Sequence, residues 1–194
     1  LKGKKVFIQG GAGGVGCFSI QLFKNLGCEI ATTCSKKNVE LVQSLGADQV
    51  IDYNEENFED VLHDFDIAYD LLGDHVSNNS IERCCNILKK SPDSHYITLT
   101  HPLVNTLDSK GLIMGVPHAL YLRQVQKNKY RPINIHWSIY RPSLSGLEQL
   151  TQLVQEETIK PVIDSVYAIE DLHLAHQKIA TGHVSGKVVI DHKV

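Results

Sequence analysis

The sequence predicts an α/β protein in which a parallel sheet carries helices on both faces. Two observations predict this fold class. Short apolar runs alternate with segments whose apolar residues recur at helical spacing, and a glycine cluster separates the first run from the first such segment. Hydrophobic residues make up 42% of the 194 residues and charged residues 21%, proportions typical of a globular domain. We therefore expect one full core rather than a disordered chain.

The alternation is clearest near the start of the chain. Residues 6–8 predict a strand, residues 10–16 a glycine turn, and residues 17–26 a helix that Gly27 ends. The remaining predicted elements continue the cycle, with strands at 30–33, 49–51, 66–72, 95–99 and 133–139 and helices at 38–45, 78–89 and 120–129. Six strands that alternate with helices predict a doubly wound parallel six-stranded sheet of the Rossmann type.

A break at Arg141-Pro142-Ser143 predicts a domain boundary near Pro142. Residues 1–142 would form the Rossmann domain. Residues 143–194 would contain helices at 147–156 and 172–180 and strands that begin at 161 and 184. Because this segment is too small to hold a core by itself, we expect it to belong to a second, mostly absent domain.

Charge and cysteine content narrow the function classes. A formal net charge of -3 and the lack of any membrane-length apolar stretch lead us to expect no nucleic-acid partner and no membrane partner. No basic and apolar leader precedes Lys4, which argues against a signal peptide. Five cysteines without metal-ligand spacing predict buried thiols in a reducing, cytoplasmic setting. The ten histidines are scattered, so we expect no metal site.

The glycine cluster Gly11-Ala12-Gly13-Gly14-Val15-Gly16 fits the pattern GxGxxG between a predicted strand and a predicted helix. The first glycine allows a tight turn, Gly13 lets the backbone approach a pyrophosphate, and Gly16 permits close packing of helix on strand. The N–H groups and positive dipole end of the helix favour phosphates. In this context we expect dinucleotide binding rather than a merely tight turn.

The end of the second predicted strand distinguishes the two nicotinamide cofactors. An acid about 20 residues beyond the motif would hold the ribose 2′-hydroxyl of NAD. The stretch Thr32-Thr33-Cys34-Ser35-Lys36-Lys37-Asn38 contains no acid but offers a hydroxyl and two ammonium groups. These groups favour a 2′-phosphate and hence NADPH, the alternative being that Lys36 and Lys37 are a solvated helix start.

Four stretches together resemble the quinone oxidoreductase branch of the medium-chain dehydrogenase/reductase superfamily. They are the strand and glycine turn at 6–16, Leu45-Gly46-Ala47-Asp48, Val50-Ile51-Asp52-Tyr53, and Gly186-Lys187-Val188-Val189-Ile190. The resemblance covers nearly the whole chain, because residues 159–163 and the helix around Ala175-His176 are also similar to the C-terminal return of that branch. It is specific for the family but not for a substrate.

The resemblance implies a set of cofactor-binding residues. The segment from Gly13 to Val15 would lie at the pyrophosphate, and the 2′-phosphate would be surrounded by Ser35, Lys36 or Lys37, and Tyr53. Near the nicotinamide-side ribose would lie Leu72, Gly73 and the segment Leu99-Thr100-His101. Lys187 is a weaker candidate. For Tyr53 and His101 the alternative is a satisfied polar residue at a strand end.

The resemblance also implies a reaction, which is hydride transfer from NADPH to a quinone or an α,β-unsaturated carbonyl without a metal. Members of the branch begin with a GroES-like domain that covers the nicotinamide, and this sequence starts after it. We therefore assign no catalytic residue and expect these residues to be inactive alone. Relatives commonly dimerise through an edge strand, so residues 133–139 are a candidate for a homodimer contact or an ordinary sixth strand.

Other function classes fit the sequence less well. Short-chain dehydrogenases use a Tyr-x-x-x-Lys pair, and no tyrosine in the chain has Lys four residues on. A methyltransferase would need an acid after the second strand, which the stretch 33–38 lacks. The serious alternative is a non-catalytic module that binds NADPH as a sensor or structural ligand and meets a protein partner.

Overall fold

The computed structural model describes residues 1–74, 77–139 and 141–192. Six parallel strands form one sheet in the order β3-β2-β1-β4-β5-β6, so the chain reverses direction along the sheet between β1 and β4. This topology confirms the predicted doubly wound Rossmann sheet. The strands are β1 (Lys5–Gln9), β2 (Glu29–Cys34), β3 (Gln49–Asp52), β4 (Ile67–Asp70), β5 (His95–Thr98) and β6 (Asn134–Trp137).

Helices connect the strands and cover both faces of the sheet. They are α1 (Gly16–Asn25), α2 (Val39–Ser44), α3 (Phe58–Val61), α4 (Ser80–Ile87), α5 (Leu103–Lys129), α6 (Leu144–Gln155) and α7 (Leu172–Ala180). The sequence predicted α5 only from residue 120, and it did not predict the single turn of α3. Helix α5 is broken at Gly111, whose φ of 68° is left-handed, and Pro117 lies within it. Because these two residues interrupt the helical pattern of apolar residues, the sequence did not predict the first half of the helix.

The core has two layers that meet at strand β1. Val6, Phe7 and Ile8 are completely buried, because both faces of a central parallel strand are covered by helices. Phe7 packs against Phe58 on one face, with ring centroids 4.5 Å apart. Ile8 belongs to the cluster on the other face, which includes Ile20 of helix α1. The central strand therefore fixes the position of both helical layers.

Residues after the sheet form a small second unit. Strand β7 (Ile163–Ala168) pairs in parallel with β8 (Lys187–Asp191), and helix α7 connects them. This unit contacts the glycine turn, because the N–H of Gly186 donates to the carbonyl of Ala12 at 2.9 Å. Gln21 of helix α1 also exchanges two hydrogen bonds with the backbone of Lys160, at 2.8 and 3.0 Å. The assignment of residues 143–194 to a second domain stays a prediction.

Asp66 anchors the amino end of strand β4. Its carboxylate accepts hydrogen bonds from the N–H of Lys5 at 2.9 Å and from the ammonium groups of Lys4 and Lys89 at 3.1 and 2.9 Å. Burial alone would raise the pKa of Asp66, but these hydrogen bonds and the charge of Lys89 outweigh burial and lower the pKa. Asp66 therefore stabilises the fold in its charged form.

We expect Asp66→Asn to lower the free energy of unfolding at neutral pH by about 1–3 kcal/mol, because an amide cannot replace the charged acceptor. The pKa of Asp66 is lower in the folded state than its ordinary value of 3.8. Its contribution is therefore present above that value and is lost as the pH falls through the folded-state pKa. Urea unfolding at neutral and acidic pH measures both effects.

The matched control is Glu29→Gln. Glu29 is exposed, and its carboxylate lies 3.9 Å from the ammonium of Lys5, too far for a hydrogen bond. We expect that change to cost less than about 0.5 kcal/mol. Equal losses in the two variants, or a difference between Asp66→Asn and the unchanged chain that persists at acidic pH, would contradict the role given to Asp66.

Candidate functional site

A cleft of about 620 Å³ opens at the carboxyl ends of β1, β2 and β4. This is the place where doubly wound sheets bind ligands, because the strand order reverses there and leaves a crevice. We call it the cofactor cleft. Its walls include residues of the glycine turn, of the segments that follow β2, β3 and β4, and of helices α3 and α4. Residues 182–184 after α7, which we call the return segment, also line it. The lining includes Gly10, Gly13, Ser35, Lys37, Asn38, Tyr53, Phe58, Leu72, Arg83 and His183.

The glycine turn leaves room for a ligand at one position and none at two others. A Cβ at Gly11 would collide with the side chain of Thr32, and a Cβ at Gly16 would collide with the carbonyl oxygens of Gly10 and Gly11. At Gly13 the nearest atom to a Cβ would be the carbonyl oxygen of Gly10, 3.6 Å away. Gly11 and Gly16 are thus required by packing, whereas Gly13 faces the open cleft.

The turn delivers the N-terminus of helix α1 to this cleft. The N–H of Cys17 donates to the carbonyl of Gly13 at 2.9 Å, which fixes the start of the helix. The preceding N–H groups, which include those of Gly14 and Val15, have no intrahelical acceptor in such a geometry. The side chain of Lys187 lies against Gly14, where a Cβ would be 2.8 Å from the Lys187 Nζ atom. Positive charge and backbone donors therefore meet at the turn, as an anionic group requires.

At the other end of the cleft, the structure brings together four residues that follow β2 and β3. Ser35, Lys37, Asn38 and Tyr53 line the wall, and Tyr53 is 53% exposed and free to contact a ligand. Lys36 is not among the lining residues. The ammonium of Lys37 donates to the carbonyl of His183 at 3.3 Å, so the return segment contacts this end of the cleft. One acid, Glu56, also lines the described part of the cleft.

Three further predicted residues, Leu72, Gly73 and Leu99, lie near the ends of β4 and β5. Leu72 lines the cofactor cleft, and Gly73, with a φ of 65°, packs so closely on Thr100 that no side chain could be added. The N–H of Leu99 donates to the carbonyl of Asp70 at 3.3 Å. Leu72, Gly73 and Leu99 thus lie at the carboxyl edge of the sheet, and their contact with a cofactor stays a prediction.

Comparison with known proteins identifies the family. The family model described as "Zinc-binding dehydrogenase" matches residues 45–190, three quarters of the chain. The chain belongs to the zinc-binding dehydrogenase family. This finding confirms the resemblance to the medium-chain dehydrogenase/reductase superfamily that the sequence motifs indicated.

Individual relatives of the chain are named as oxidoreductases. It is 32% identical to the NAD(P)H oxidoreductase RTN4IP1, mitochondrial, of Danio rerio, over 96% of this chain and 49% of the relative. It is 31% identical to the trans-enoyl reductase pgmF of Aspergillus terreus, over 97% of this chain and 51% of the relative. Among solved structures, the quinone oxidoreductase from Coxiella burnetii matches with a TM-score of 0.76 and 29% identity, over 97% of this chain and 53% of that one. The chain thus spans about half the length of the relatives it matches.

Sequence analysis missed the buried carboxylate of Asp70, which fixes the turn after β4 at the cleft. Its Oδ1 atom accepts from the N–H groups of Leu72 and Gly73, at 3.0 and 2.8 Å. Its Oδ2 atom accepts from the hydroxyls of Ser80 and Tyr96, at 2.8 and 2.7 Å. Four donors around a completely buried carboxylate hold the Leu72–Gly73 turn rigidly against the sheet. The only sequence signal was an acid at the end of an apolar strand.

Sequence analysis also missed Arg83, which lines the cofactor cleft beside Phe58. Its guanidinium forms two hydrogen bonds to Glu59, at 2.6 and 2.7 Å, and lies 4.7 Å from the centroid of the Phe58 ring. The hydrogen bonds that Arg83 donates to Glu59 raise the pKa of Arg83, against the opposing effect of burial. This pair connects α3 to α4, and Arg83 forms part of the wall of the cleft.

The cysteines are buried as the sequence predicted, and burial explains their character. Burial raises the pKa of Cys17 and Cys34 to about 11 and that of Cys85 to about 12. Cys28 and Cys84 are also buried with raised pKa values. Thiols in this state are poor nucleophiles and poor metal ligands.

Among residues 1–74, 77–139 and 141–192, no group of three or more potential ligand side chains could hold a metal ion. None of the described helices is long and apolar enough to span a membrane.

Gly13→Ala is expected to weaken dinucleotide binding by about tenfold or more while it changes the free energy of unfolding by less than about 1 kcal/mol. A methyl group at this position meets no protein atom closely but occupies the open approach to the turn. Fluorescence titration with NADPH and thermal unfolding measure the two effects.

Gly16→Ala is the matched control, because its methyl group would strike backbone atoms of the turn rather than a ligand. We expect it to lower the free energy of unfolding by about 1–3 kcal/mol. If Gly13→Ala bound NADPH normally, or if it unfolded as easily as Gly16→Ala, the assignment of the open position to a ligand would be wrong.

Proposed function

We propose that this chain is the cofactor-binding part of an NADPH-dependent reductase that transfers hydride to a quinone or an α,β-unsaturated carbonyl. The observation that carries the proposal is the composition of the cofactor cleft. One end presents the open glycine turn. The other presents Ser35 and Lys37, which lie in the acid-free stretch 33–38 at the end of β2, and Tyr53, which follows β3. A pyrophosphate suits the first end and a 2′-phosphate suits the second.

Each part of the cofactor would have its own set of residues. The pyrophosphate would be held by the backbone at Gly11, Gly13, Gly14, Val15 and Gly16, with Lys187 above it. At the 2′-phosphate we place Ser35, Lys37 and Tyr53, with Lys36 as a more distant charge. The nicotinamide-side ribose would lie against Leu72, Gly73 and Leu99, on the turn that Asp70 holds in place.

Bound NADPH would supply the hydride, and the residues of this chain would orient it and exclude water from one side. The acceptor class is supported by the names of the relatives, which include a quinone oxidoreductase and a trans-enoyl reductase. Hydride transfer to such an acceptor needs no metal, and we propose a zinc-independent reaction. The other wall of the substrate site would come from a preceding domain in a longer protein.

Two further features belong to the proposal. Strand β6 is one of the two edge strands of the six-stranded sheet, and a homodimer that pairs through it is our proposal for the assembly. For the compartment we propose the cytoplasm, on the basis of the five free thiols. The names of the relatives include the word mitochondrial, which makes the mitochondrion the alternative that cell fractionation would test.

The cofactor preference is tested by titration with NADPH and NADH in parallel, followed by nicotinamide fluorescence. We expect NADPH to bind at least about tenfold more tightly, because charge-assisted contacts to the 2′-phosphate are absent with NADH. Lys37→Glu should remove this preference. Lys36→Glu is the matched control, with the same change in charge at a residue outside the cleft wall, and should have a smaller effect. Equal affinity for both cofactors in the unchanged chain would overturn the NADPH assignment.

The reductase role is tested by adding a simple quinone to the NADPH-loaded chain and following absorbance of the reduced cofactor. We expect binding without turnover, because one wall of the substrate site lies outside these residues. The longer protein should oxidise NADPH with the same quinone. Binding without oxidation by that longer protein would instead support a non-catalytic NADPH sensor, and rapid turnover by the 194 residues would contradict the predicted inactivity.

A further inference from the structure

The return segment and the residue after it contact the end of the cofactor cleft where we place the 2′-phosphate. The ammonium of Lys37 donates to the carbonyl of His183 at 3.3 Å. The hydroxyl of Ser185 donates to the Oδ1 atom of Asn38, the neighbour of Lys37, at 2.8 Å. The paired residues are 146 and 147 positions apart in sequence. Two consecutive residues after β2 are therefore tethered to one stretch near the end of the chain.

Asn38 gives its side chain to this tether rather than to the helix that it precedes. It is the N-cap residue of α2, a position where an asparagine oxygen commonly accepts a hydrogen bond from the first turn of the helix. No such side-chain bond forms at Asn38. Its Oδ1 atom instead accepts from Ser185, in a contact that is partly buried. A capping residue that serves a distant contact points to a role for that contact beyond local helix stability.

Ser185 is held on its other side by strand β7. Its N–H donates to the Oδ2 atom of Asp164 at 2.9 Å, and the carboxylate of Asp164 also pairs with the ammonium of Lys178 at 3.2 Å. The hydrogen bond from the Ser185 N–H is the main cause that lowers the pKa of Asp164, so this carboxylate is charged at neutral pH. The next residue, Gly186, has a φ of 88° and lies so close to the carbonyl of Val162 that no side chain could be added. The backbone at this point is therefore a fixed anchor.

Lys37 is the residue that this tether restrains. Its side chain is exposed, it lines the cofactor cleft, and it belongs to no ion pair in the part of the chain that the structure describes. An ammonium group has three donors, so the hydrogen bond to His183 leaves two for a ligand. A free lysine side chain loses rotamer entropy when a ligand fixes it, and an ammonium that is already held avoids part of that cost. The return segment thus prepares Lys37 for an anion.

We propose that Ser185 and Asn38 are positioning residues for cofactor selection. Their hydrogen bond holds the return segment beside Lys37 and so fixes the ammonium where a 2′-phosphate would bind. Ser185 is not among the residues that line the described cleft, and it acts through Lys37 rather than by contact with the cofactor. The inference rests on the proposed NADPH preference. The group that it selects is a phosphomonoester on the ribose in place of a hydroxyl.

The test is a titration of the unchanged chain and of Ser185→Ala with NADPH and with NADH, followed by nicotinamide fluorescence. We expect Ser185→Ala to weaken NADPH binding by about threefold to tenfold, the effect of one lost hydrogen bond. Binding of NADH should change by less than about twofold, because NADH has no 2′-phosphate for Lys37 to meet. Adenosine 2′,5′-bisphosphate, measured by calorimetry, should lose affinity by the same factor as NADPH, since it carries the phosphate without the nicotinamide.

A double-mutant cycle shows whether Ser185 acts through Lys37. In a chain that carries Lys37→Gln the ammonium is absent, so the added Ser185→Ala should change NADPH binding by less than about twofold. Ser185→Thr keeps the hydroxyl and should keep the preference for NADPH. A residue with only a structural role would not produce this pattern.

The matched control is Ser44→Ala, which removes an exposed hydroxyl from α2 outside the cleft wall. The Ser44 hydroxyl donates within its own helix, to the carbonyl of Leu41 at 2.7 Å. We expect this variant to bind both cofactors as the unchanged chain does. Thermal unfolding of each variant shows whether the fold is intact, so that a loss of affinity is not confused with a loss of structure.

Different results overturn the inference and the proposed function. Equal affinity of the unchanged chain for NADPH and NADH would overturn the NADPH preference and, with it, the inference. A preference for NADPH that is intact in Ser185→Ala would overturn the inference alone. An equal loss of affinity for both cofactors would do the same, because it would show that the tether only maintains the cleft as a whole. A full further loss in the Lys37→Gln background would show that Ser185 does not act through Lys37.

Discussion

The close approach of helix α1 to strands β1 and β2 is the constraint on which the rest of this structure depends. Side chains are excluded at Gly11 and Gly16, because Thr32 and the carbonyl of Gly10 occupy the space that a Cβ would need. This contact sets the height of the helix over the sheet and aims its N-terminus at the crevice. Val6 of β1 and Ile20 of α1 then pack together in one buried cluster, at the spacing of helix and sheet that the glycines permit.

Two carboxylates at opposite ends of strand β4, those of Asp66 and Asp70, have different roles. Asp66 binds two ammonium groups at the amino end, where it contributes stability alone. Asp70, four residues later at the carboxyl end, binds only backbone N–H and hydroxyl donors. Because Asp70 accepts hydrogen bonds from the N–H groups of Leu72 and Gly73, it holds in place the turn that forms part of the wall of the cleft. One strand thus has a stabilising carboxylate at its amino end and a carboxylate that shapes the cleft at its carboxyl end.

The sequence predicted the sheet, its strand count and most helices, because apolar spacing and glycine position report directly on burial and turn geometry. It predicted less well over residues 103–129, where Gly111 and Pro117 interrupt the apolar spacing of a helical segment that is broken at Gly111. Asp70 and Arg83 could not be predicted as parts of the site, since their partners Tyr96, Ser80 and Glu59 lie at distances in sequence that no local pattern encodes. Lys36 and Lys37 were indistinguishable in sequence, and only the direction of the chain after β2 separates them.

The bridge between Gly13 and Gly186 joins the beginning of the chain to its end. The loop that this contact closes contains almost every other residue, so the cofactor turn receives its last neighbour only when strand β8 arrives. On a ribosome, the six-stranded sheet has all of its strands well before that moment. The sheet can therefore form while the glycine turn still lacks this neighbour, and synthesis of strand β8 becomes the step that completes the turn.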